Sequence, residues 1–293
     1  MTEAAWAALV LELPCSLEEE LAGVLGQESL GVETLPIGGD RCRMKVYVAS
    51  RAQAERLKAR LEVPLRALDL TPERCSAAVV PVEDLRWAER YQRSLRPFAV
   101  GERFLVVPDG RAPRASGRVP LALVPGRAFG TGEHPTTQLC VRALELWVRP
   151  GSRWLDLGCG SGILSLVALH LGARAVEARD TDPEAVDVAR EVLKRNEAPG
   201  VRVTVGSAAD LAGAGLDGVV ANIASAYFLA AAGEVAATLR DGGVLLASGF
   251  LREDLPALEG ALGAAGLRVI DVRHQEEWVL LVARYGAPGR ASR

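Results

Sequence analysis

Trp154-Leu155-Asp156-Leu157-Gly158-Cys159-Gly160-Ser161-Gly162 reads as a strand running into a glycine turn, with a helix over Ile163 to Leu171 behind it. Three glycines in five positions let the backbone turn sharply and approach a ligand with no Cβ in the way. The helix start behind them directs free N–H groups at whatever sits there. Twenty-two residues past Gly158, a second apolar stretch, Ala175 to Ala178, ends at Asp180. That spacing suits a carboxylate gripping ribose hydroxyls. The turn alone is compatible with an ordinary tight strand-to-helix connection; joined to Asp180 it predicts a nucleoside-binding site.

Outward from this turn the chain alternates helix and strand. A helix is expected from Pro135 to Trp147 ahead of it and another over Pro183 to Asn196 beyond Asp180. Strands Val201 to Val205 and Gly218 to Ile223 follow, then helix Tyr227 to Leu239, strand Val244 to Ser248 and helix Glu253 to Gly266. Strands Leu267 to Val272 and Glu277 to Ala283 close the pattern, and Phe98 to Pro108 with Arg118 to Val124 lead into it. Such alternation predicts an α/β fold, Rossmann-like, with a mostly parallel seven-stranded sheet and helices on both faces. The short turn between the last two strands requires one of them to run antiparallel.

Residues 1–68 read as a separate small α+β unit. A strand over Trp6 to Leu13 precedes a helix over Leu17 to Gly26 capped by Ser16. Strands Val32 to Leu35 and Arg43 to Val48, helix Ala52 to Leu61 and a closing edge strand Leu65 to Leu68 complete a ferredoxin-like order. Such a unit is expected to recognise rather than to catalyse. Residues 69–95, with Pro72, Pro81 and a helix-like stretch Asp84 to Leu95, read as a linker. The second domain then spans 96–285, and 286–293 reads as a disordered tail.

Hydrophobic content of 49% excludes a disordered chain, and no apolar run approaches the ~18–20 residues that span a bilayer. The first residues lack a basic stretch followed by an apolar core, so a signal peptide is not expected. Five scattered cysteines, Cys15, Cys42, Cys75, Cys140 and Cys159, form no C-x-x-C pair, which argues against a zinc site or disulfide framework. A cytoplasmic location follows. The net charge of −3 argues against general nucleic-acid binding, and no direct DNA contact is expected. Residues 71–135 nevertheless carry +3 between two flanks of −3 each. That basic middle segment is either a solvated face or a docking surface for an acidic or RNA-rich partner. No large apolar stripe calls for a partner subunit, so a monomer is expected.

The turn has the form D-x-G-x-G-x-G rather than the dinucleotide fingerprint G-x-G-x-x-G, whose third glycine comes one place later. Two further stretches accompany it. Pro125-Gly126-Arg127-Ala128-Phe129-Gly130-Thr131-Gly132-Glu133-His134-Pro135-Thr136-Thr137 precedes the first helix of the domain; its glycines around Phe129 suit a lid that orders over a ligand. Thr136 or Thr137 equally fits a helix N-cap. Val219-Val220-Ala221-Asn222-Ile223-Ala224 puts an amide at the carboxyl end of the fourth strand, where ligands bind, although Asn is also a common turn residue. His134 has no second His or carboxylate cluster at ligand spacing, so no metal is expected.

The D-x-G-x-G-x-G turn resembles the first motif of the class I S-adenosylmethionine-dependent methyltransferases. The complete P-G-x-A-F-G-T-G-x-H-x-T-T phrase, the D-x-D-P at Asp180 to Pro183, the A-N-I at Ala221 to Ile223, Ser248-Gly249 and the E-E-W at Glu276 to Trp278 resemble, in order, the PrmA family. That family methylates large-subunit ribosomal protein eleven, and the resemblance covers nearly the whole chain. It implies S-adenosylmethionine as cofactor, with Asp156 and the turn glycines Gly158, Gly160 and Gly162 around its methionine part and Asp180 on its ribose. It also carries cofactor contacts onto Thr137 and Asn222. Lysine ε-amines and the N-terminal α-amine of that ribosomal protein are the implied acceptors. Asn222 is expected to orient the acceptor and Phe129 to close the lid.

The chain departs from the family's W-x-x-x-W-x-x-x-F-x-P linker, reading Trp87, Tyr91, Leu95 and Pro97, and carries an insertion over Asp109 to Gly117. These changes touch no implied cofactor contact; they bear on domain orientation and substrate docking. A glutamine or DNA-amino methyltransferase would need N-P-P-Y where this chain has Asn222-Ile223-Ala224-Ser225. Two alternatives stay open: a ribosomal-RNA methyltransferase touching RNA through the basic linker, whose affinity would fall steeply with salt, and a non-enzymatic cofactor-binding scaffold.

Overall fold

The computed structural model describes residues 7–17, 29, 31–48, 50–67, 75–82, 96–108, 117–123 and 132–286. They divide into two compact units, one up to Leu95 and one from Arg96 onward. No helix among the described residues is long and apolar enough to cross a membrane.

The first unit comprises β1 (Ala7–Pro14), β2 (Gly31–Gly38), β3 (Arg41–Val48), α1 (Arg51–Ala67) and β4 (Ser76–Pro81). Its sheet runs β2-β3-β1-β4, antiparallel throughout, which is the strand order of a ferredoxin-like sandwich. Period-two alternation sends Cys42, Met44, Val46 and Val48 of β3 to one face beside Leu9, Leu11 and Leu13 of β1. Ala54, Leu57 and Leu61, spaced three and four apart, bring one stripe of α1 onto that face. The Ser50 hydroxyl caps α1 by accepting from the Gln53 N–H at 3.1 Å.

One expectation is corrected. Leu65 to Leu68 is not the closing strand: α1 runs on to Ala67, and the sheet closes with Ser76–Pro81, inside the stretch read as a linker. Proline is disfavoured inside a helix, yet α1 carries Pro64 through its last turns. The actual strand is short and largely exposed, and among the described residues it pairs only with β1; such an edge tolerates Pro81. Most of the expected Leu17 to Gly26 helix, the Asp84 to Leu95 helix and residues 287–293 lie outside the described residues.

The second unit opens with three short strands, β5 (Phe98–Val100), β6 (Phe104–Val106) and β7 (Val119–Leu121). Gly101 splits the single strand expected over Phe98 to Pro108, because the Glu145 carboxylate gathers the Glu102 and Arg103 N–H groups at 2.9 and 2.8 Å into a turn. There follow α2 (Pro135–Trp147), β8 (Arg153–Leu157), α3 (Ile163–His170), β9 (Ala175–Asp180), α4 (Pro183–Arg195) and β10 (Val201–Val205). After them come β11 (Leu216–Asn222), α5 (Ser225–Thr238), β12 (Leu239–Leu251), α6 (Leu255–Ala264), β13 (Leu267–Gln275) and β14 (Trp278–Tyr285).

The seven-stranded sheet is ordered β10-β9-β8-β11-β12-β14-β13. Its strands are parallel except β14, which pairs antiparallel with both neighbours, as the short final turn requires. The pleat splits the core in two. Trp154, Val176, Val220 and Leu246 face α2 and α3, whereas Leu155, Leu157, Val219, Ala221 and Leu245 face α5 and α6. That parity decides where the polar residues at the strand ends point. Asp156 shares the face of Trp154, and Asn222 shares the face of Val220.

Candidate functional site

Strand order reverses between β8 and β11, and ligands of such sheets sit beyond the strand ends at this switch point. Gly158 and Asn222 stand there. Gly158, Gly160 and Gly162 adopt φ of 70°, 50° and 78°, a region L side chains rarely enter. A Cβ on Gly158 would also collide with the Ile223 side chain. The turn is fastened to the neighbouring strand: Gly158 N–H and Cys159 N–H both donate to the Arg179 carbonyl, at 2.8 and 3.0 Å.

Asp180 is brought to the turn as its spacing predicted. One carboxylate oxygen accepts from the Gly160 N–H and the other from the Asp182 N–H, both at 3.0 Å. Each oxygen keeps lone-pair capacity for a ligand hydroxyl. Asp182 in turn caps α4 through the Glu184 N–H at 2.9 Å, with Pro183 at the first helical position.

Asp156 faces the helix behind the turn. It is fully buried, and its Oδ2 accepts from the Ser165 N–H at 2.9 Å and the Ser165 hydroxyl at 2.6 Å. Gly162, at the N-cap of α3, brings no side chain, so Asp156 caps that helix from β8. Its Oδ1 has no hydrogen-bond partner among the described residues. Sequence reasoning missed Ser165; its signal was a hydroxyl in the first turn of a helix whose cap is glycine.

Burial pushes the Asp156 carboxyl up to about 7, against the lowering effect of the Ser165 bonds and helped by the Asp180 charge. A carboxyl with a raised folded pKa holds its proton in the native state while the unfolded chain releases it. Its contribution therefore makes stability fall as pH rises from the ordinary carboxylate range to about 7 and stay level above. Asp156→Asn is expected to flatten that slope in a series of melting curves across pH. An unchanged slope would show that Asp156 ionises in the folded protein at its ordinary value. The neighbouring Cys140 and Cys159 thiols are pushed well above their ordinary range by burial and by Asp156. They are inert thiols rather than nucleophiles.

Across the crevice, the Asn222 amide is 9% exposed and donates to the Thr137 hydroxyl at 3.4 Å. Asn222 Oδ1 has no partner among the described residues. Thr137 is buried in the first turn of α2, and neither it nor Thr136 is the cap. That role belongs to His134, whose Nδ1 accepts from the Thr136 N–H at 3.3 Å and lies 2.7 Å from the Thr136 hydroxyl. Pro135 fills the first helical position, which places the cap one residue ahead of it. Burial lowers the His134 pKa, against the opposing pull of Glu276 and Glu277, which keeps the ring neutral and Nδ1 free to accept. The ring packs edge-on against Trp278 at 4.8 Å between centroids. The E-E-W stretch thus supports the helix that holds Thr137. Phe129, with the rest of its phrase up to Thr131, lies outside the described residues.

The site thus offers a glycine cradle, a carboxylate fastened to it and one buried amide oxygen with spare capacity, Asn222 Oδ1. This set fits a nucleoside whose far end bears positive charge.

Comparisons with known proteins point to one family. The family described as ribosomal protein L11 methyltransferase (PrmA) matches residues 17–285. A ribosomal protein L11 methyltransferase of Symbiobacterium thermophilum is 43% identical over 69% of this chain and 66% of its own length, just under two thirds. One of Pelotomaculum thermopropionicum is 40% identical over 84% of this chain and 80% of its own. A third, of Bacillus cytotoxicus, is 31% identical over 96% and 92%. Among solved structures, a ribosomal protein L11 methylase from Lactobacillus delbrueckii subsp. bulgaricus superposes with a TM-score of 0.57 and 27% identity, covering 66% of this chain and 99% of that one.

Proposed function

The chain belongs to the ribosomal protein L11 methyltransferase (PrmA) family, and from that premise we propose that it moves methyl groups from S-adenosylmethionine to amines of ribosomal protein L11 in the cytoplasm. It is an S-adenosylmethionine-dependent methyltransferase, as its family is. Lysine ε-amines and the N-terminal α-amine are the acceptors of this reading. The observation that carries it is the meeting of Asp180 with Gly160 on one side of the crevice and of Asn222 with Thr137 on the other.

S-adenosylmethionine supplies a methyl group on a sulfonium, an electrophile that an amine lone pair displaces in line. The chain's own task is mainly to position two groups and exclude water. An ammonium has no lone pair, and Lys titrates near ~10.4 against ~7.7–8.0 for an α-amine, so a lysine acceptor must first shed a proton. Burial beside a cation moves its pKa in the required direction. Asn222 Oδ1 then accepts an N–H of the neutral amine and aims its lone pair, while the Thr137 contact fixes which way the amide points. Asp180 would hold the ribose of that cofactor and the glycine turn its methionine part, with Asp156 fixing the turn and α3 from behind.

Asp180→Ala is expected to weaken S-adenosylmethionine binding by roughly 1.5–3 kcal/mol, the scale for hydrogen bonds to a charged group. Titration calorimetry reads this directly, and intact affinity would remove the ribose assignment. The activity itself is tested by incubating the protein with S-adenosylmethionine and isolated ribosomal protein L11 and reading intact mass. Gains in steps of one methyl are expected. No gain despite measured cofactor binding would move the substrate elsewhere, with RNA tested next.

A further inference from the structure

Pro135 has no N–H, so the first three N–H groups of α2 all end on His134. The ring Nδ1 accepts from Thr136, and the backbone carbonyl accepts from Thr137 and Gln138 at 3.0 and 3.1 Å. Gln138, fixed in this way, donates to the Gly132 carbonyl at 2.7 Å and accepts from the Gly101 N–H at 3.1 Å. The first turn of α2 therefore also holds the chain that enters it. Thr136 and Thr137 are each 1% exposed, which leaves little room for water to replace a lost bond.

A ring in this position caps the helix only while Nδ1 keeps its lone pair. A proton there turns the acceptor into a donor facing the Thr136 N–H, and it sets a positive charge at the end of the helix dipole that is already positive. On the other side, the two-residue turn between Gln275 and Trp278 brings Glu276 and Glu277 to the ring. Their charges favour the imidazolium, and burial opposes them and prevails. Glu133, the chain neighbour, is exposed. The ring thus stands between a helix that needs it neutral and two carboxylates that gain from its charge. We propose that His134 is a positioning residue whose proton state couples S-adenosylmethionine binding to pH. The neutral ring sets the first turn of α2, and with it the Thr137 hydroxyl that meets Asn222. Protonation draws the ring toward Glu276 and Glu277 and releases that turn. The inference rests on the S-adenosylmethionine reading of the site, in which Thr137 is a cofactor contact.

His134→Ala and His134→Asn test it, with S-adenosylmethionine as the calorimetric probe in a series from about pH 8 to about pH 5, which brackets the imidazole range. Asparagine caps a helix through an oxygen that takes up no proton in this series, and alanine does not cap. At the alkaline end His134→Ala should bind about fivefold more weakly than the parent, the scale of a lost cap, and His134→Asn should recover most of that affinity. Towards the acid end the parent should lose affinity relative to His134→Asn by up to the same factor. Charges on the cofactor and on Asp180 titrate alike in both proteins, so the ratio isolates residue 134. Binding favours the neutral ring, and the parent should therefore release protons on binding in the acid range. The heat of binding would then depend on the buffer in the parent and not in His134→Asn. An identical pH dependence in the parent and His134→Asn overturns the inference, as does full affinity of His134→Ala at the alkaline end. If His134→Ala fails to fold, the comparison of the parent with His134→Asn decides alone. Failure of the parent to bind the cofactor at any pH would sink the cofactor reading instead. Protection of the Thr136 amide from hydrogen exchange, falling towards acid in the parent and not in His134→Asn, would still decide whether the cap depends on the proton.

Discussion

Asn222→Ala is expected to lower kcat about a hundredfold, the cost of misplacing a reacting group by an ångström or so, with cofactor affinity changed far less. Parity and burial are the reasons. Asn222 ends β11 on the Val220 face, where α2 presents Thr137, and it is the last residue before the chain leaves the sheet. With Nδ2 on the Thr137 hydroxyl, Oδ1 remains buried and ready to accept. An alanine leaves the backbone and the glycine turn in place while removing that acceptor. Steady-state kinetics at saturating cofactor, beside calorimetry, separates the two effects. Turnover equal to the parent's would end the orienting role of Asn222, and an affinity loss equal to the kcat loss would make it a binding residue.

Gly249→Ala is expected to cost stability rather than chemistry, by about 3 kcal/mol or more, which is large for one methyl group. Gly249 has φ of 100° and lies where the pairing of β12 with β14 slips by one residue between Ser248 and Phe250. The left-handed backbone alone penalises an L residue by about 1–2 kcal/mol. Steric overlap adds more than that. An alanine Cβ would stand 2.5 Å from the Ile223 carbonyl oxygen and 2.8 Å from its carbonyl carbon and nitrogen. Those are backbone atoms held by the Ile223 N–H bond to the Ser248 carbonyl at 2.9 Å, so they cannot turn aside as a side-chain end would. Gly158→Ala meets the Ile223 side chain rather than backbone and should cost less. Denaturant titration of the two variants orders them. A midpoint for Gly249→Ala equal to the parent's would mean that Ile223 does not pack against the bulge.

The second unit was legible because its signals are local and periodic. Glycines at alternate positions, an acid twenty-two residues on and an amide at a strand end each follow from backbone geometry at a parallel sheet's edge. The antiparallel final strand followed from turn length alone. The first unit's closing strand was less legible for a physical reason. Ser76–Pro81 is an exposed edge with little apolar alternation, whereas α1 runs six residues beyond Leu61, with Pro64 in that stretch. Within the site, sequence spacing anticipated that Asp180 meets the glycine turn, whereas Ser165, which holds Asp156 from behind, was missed. Ser165 sits on another element than Asp156, which it holds, and pairing across elements has no local signature. His134 shows no metal-ligand pattern, and nothing in its residue type advertises the neutral helix cap that it forms.

The distribution of thiols has a practical consequence for watching the molecule at work. Cys140 and Cys159 of the second unit are buried, with their acidity suppressed by burial, and Cys42 is buried in the first. Only Cys15 and Cys75 are partly accessible, and both belong to the first unit. A maleimide fluorophore added under native conditions would therefore label the first unit and spare the glycine turn. The natural chain, with no engineered cysteine, carries its own attachment points for following that unit by anisotropy while the other unit turns over.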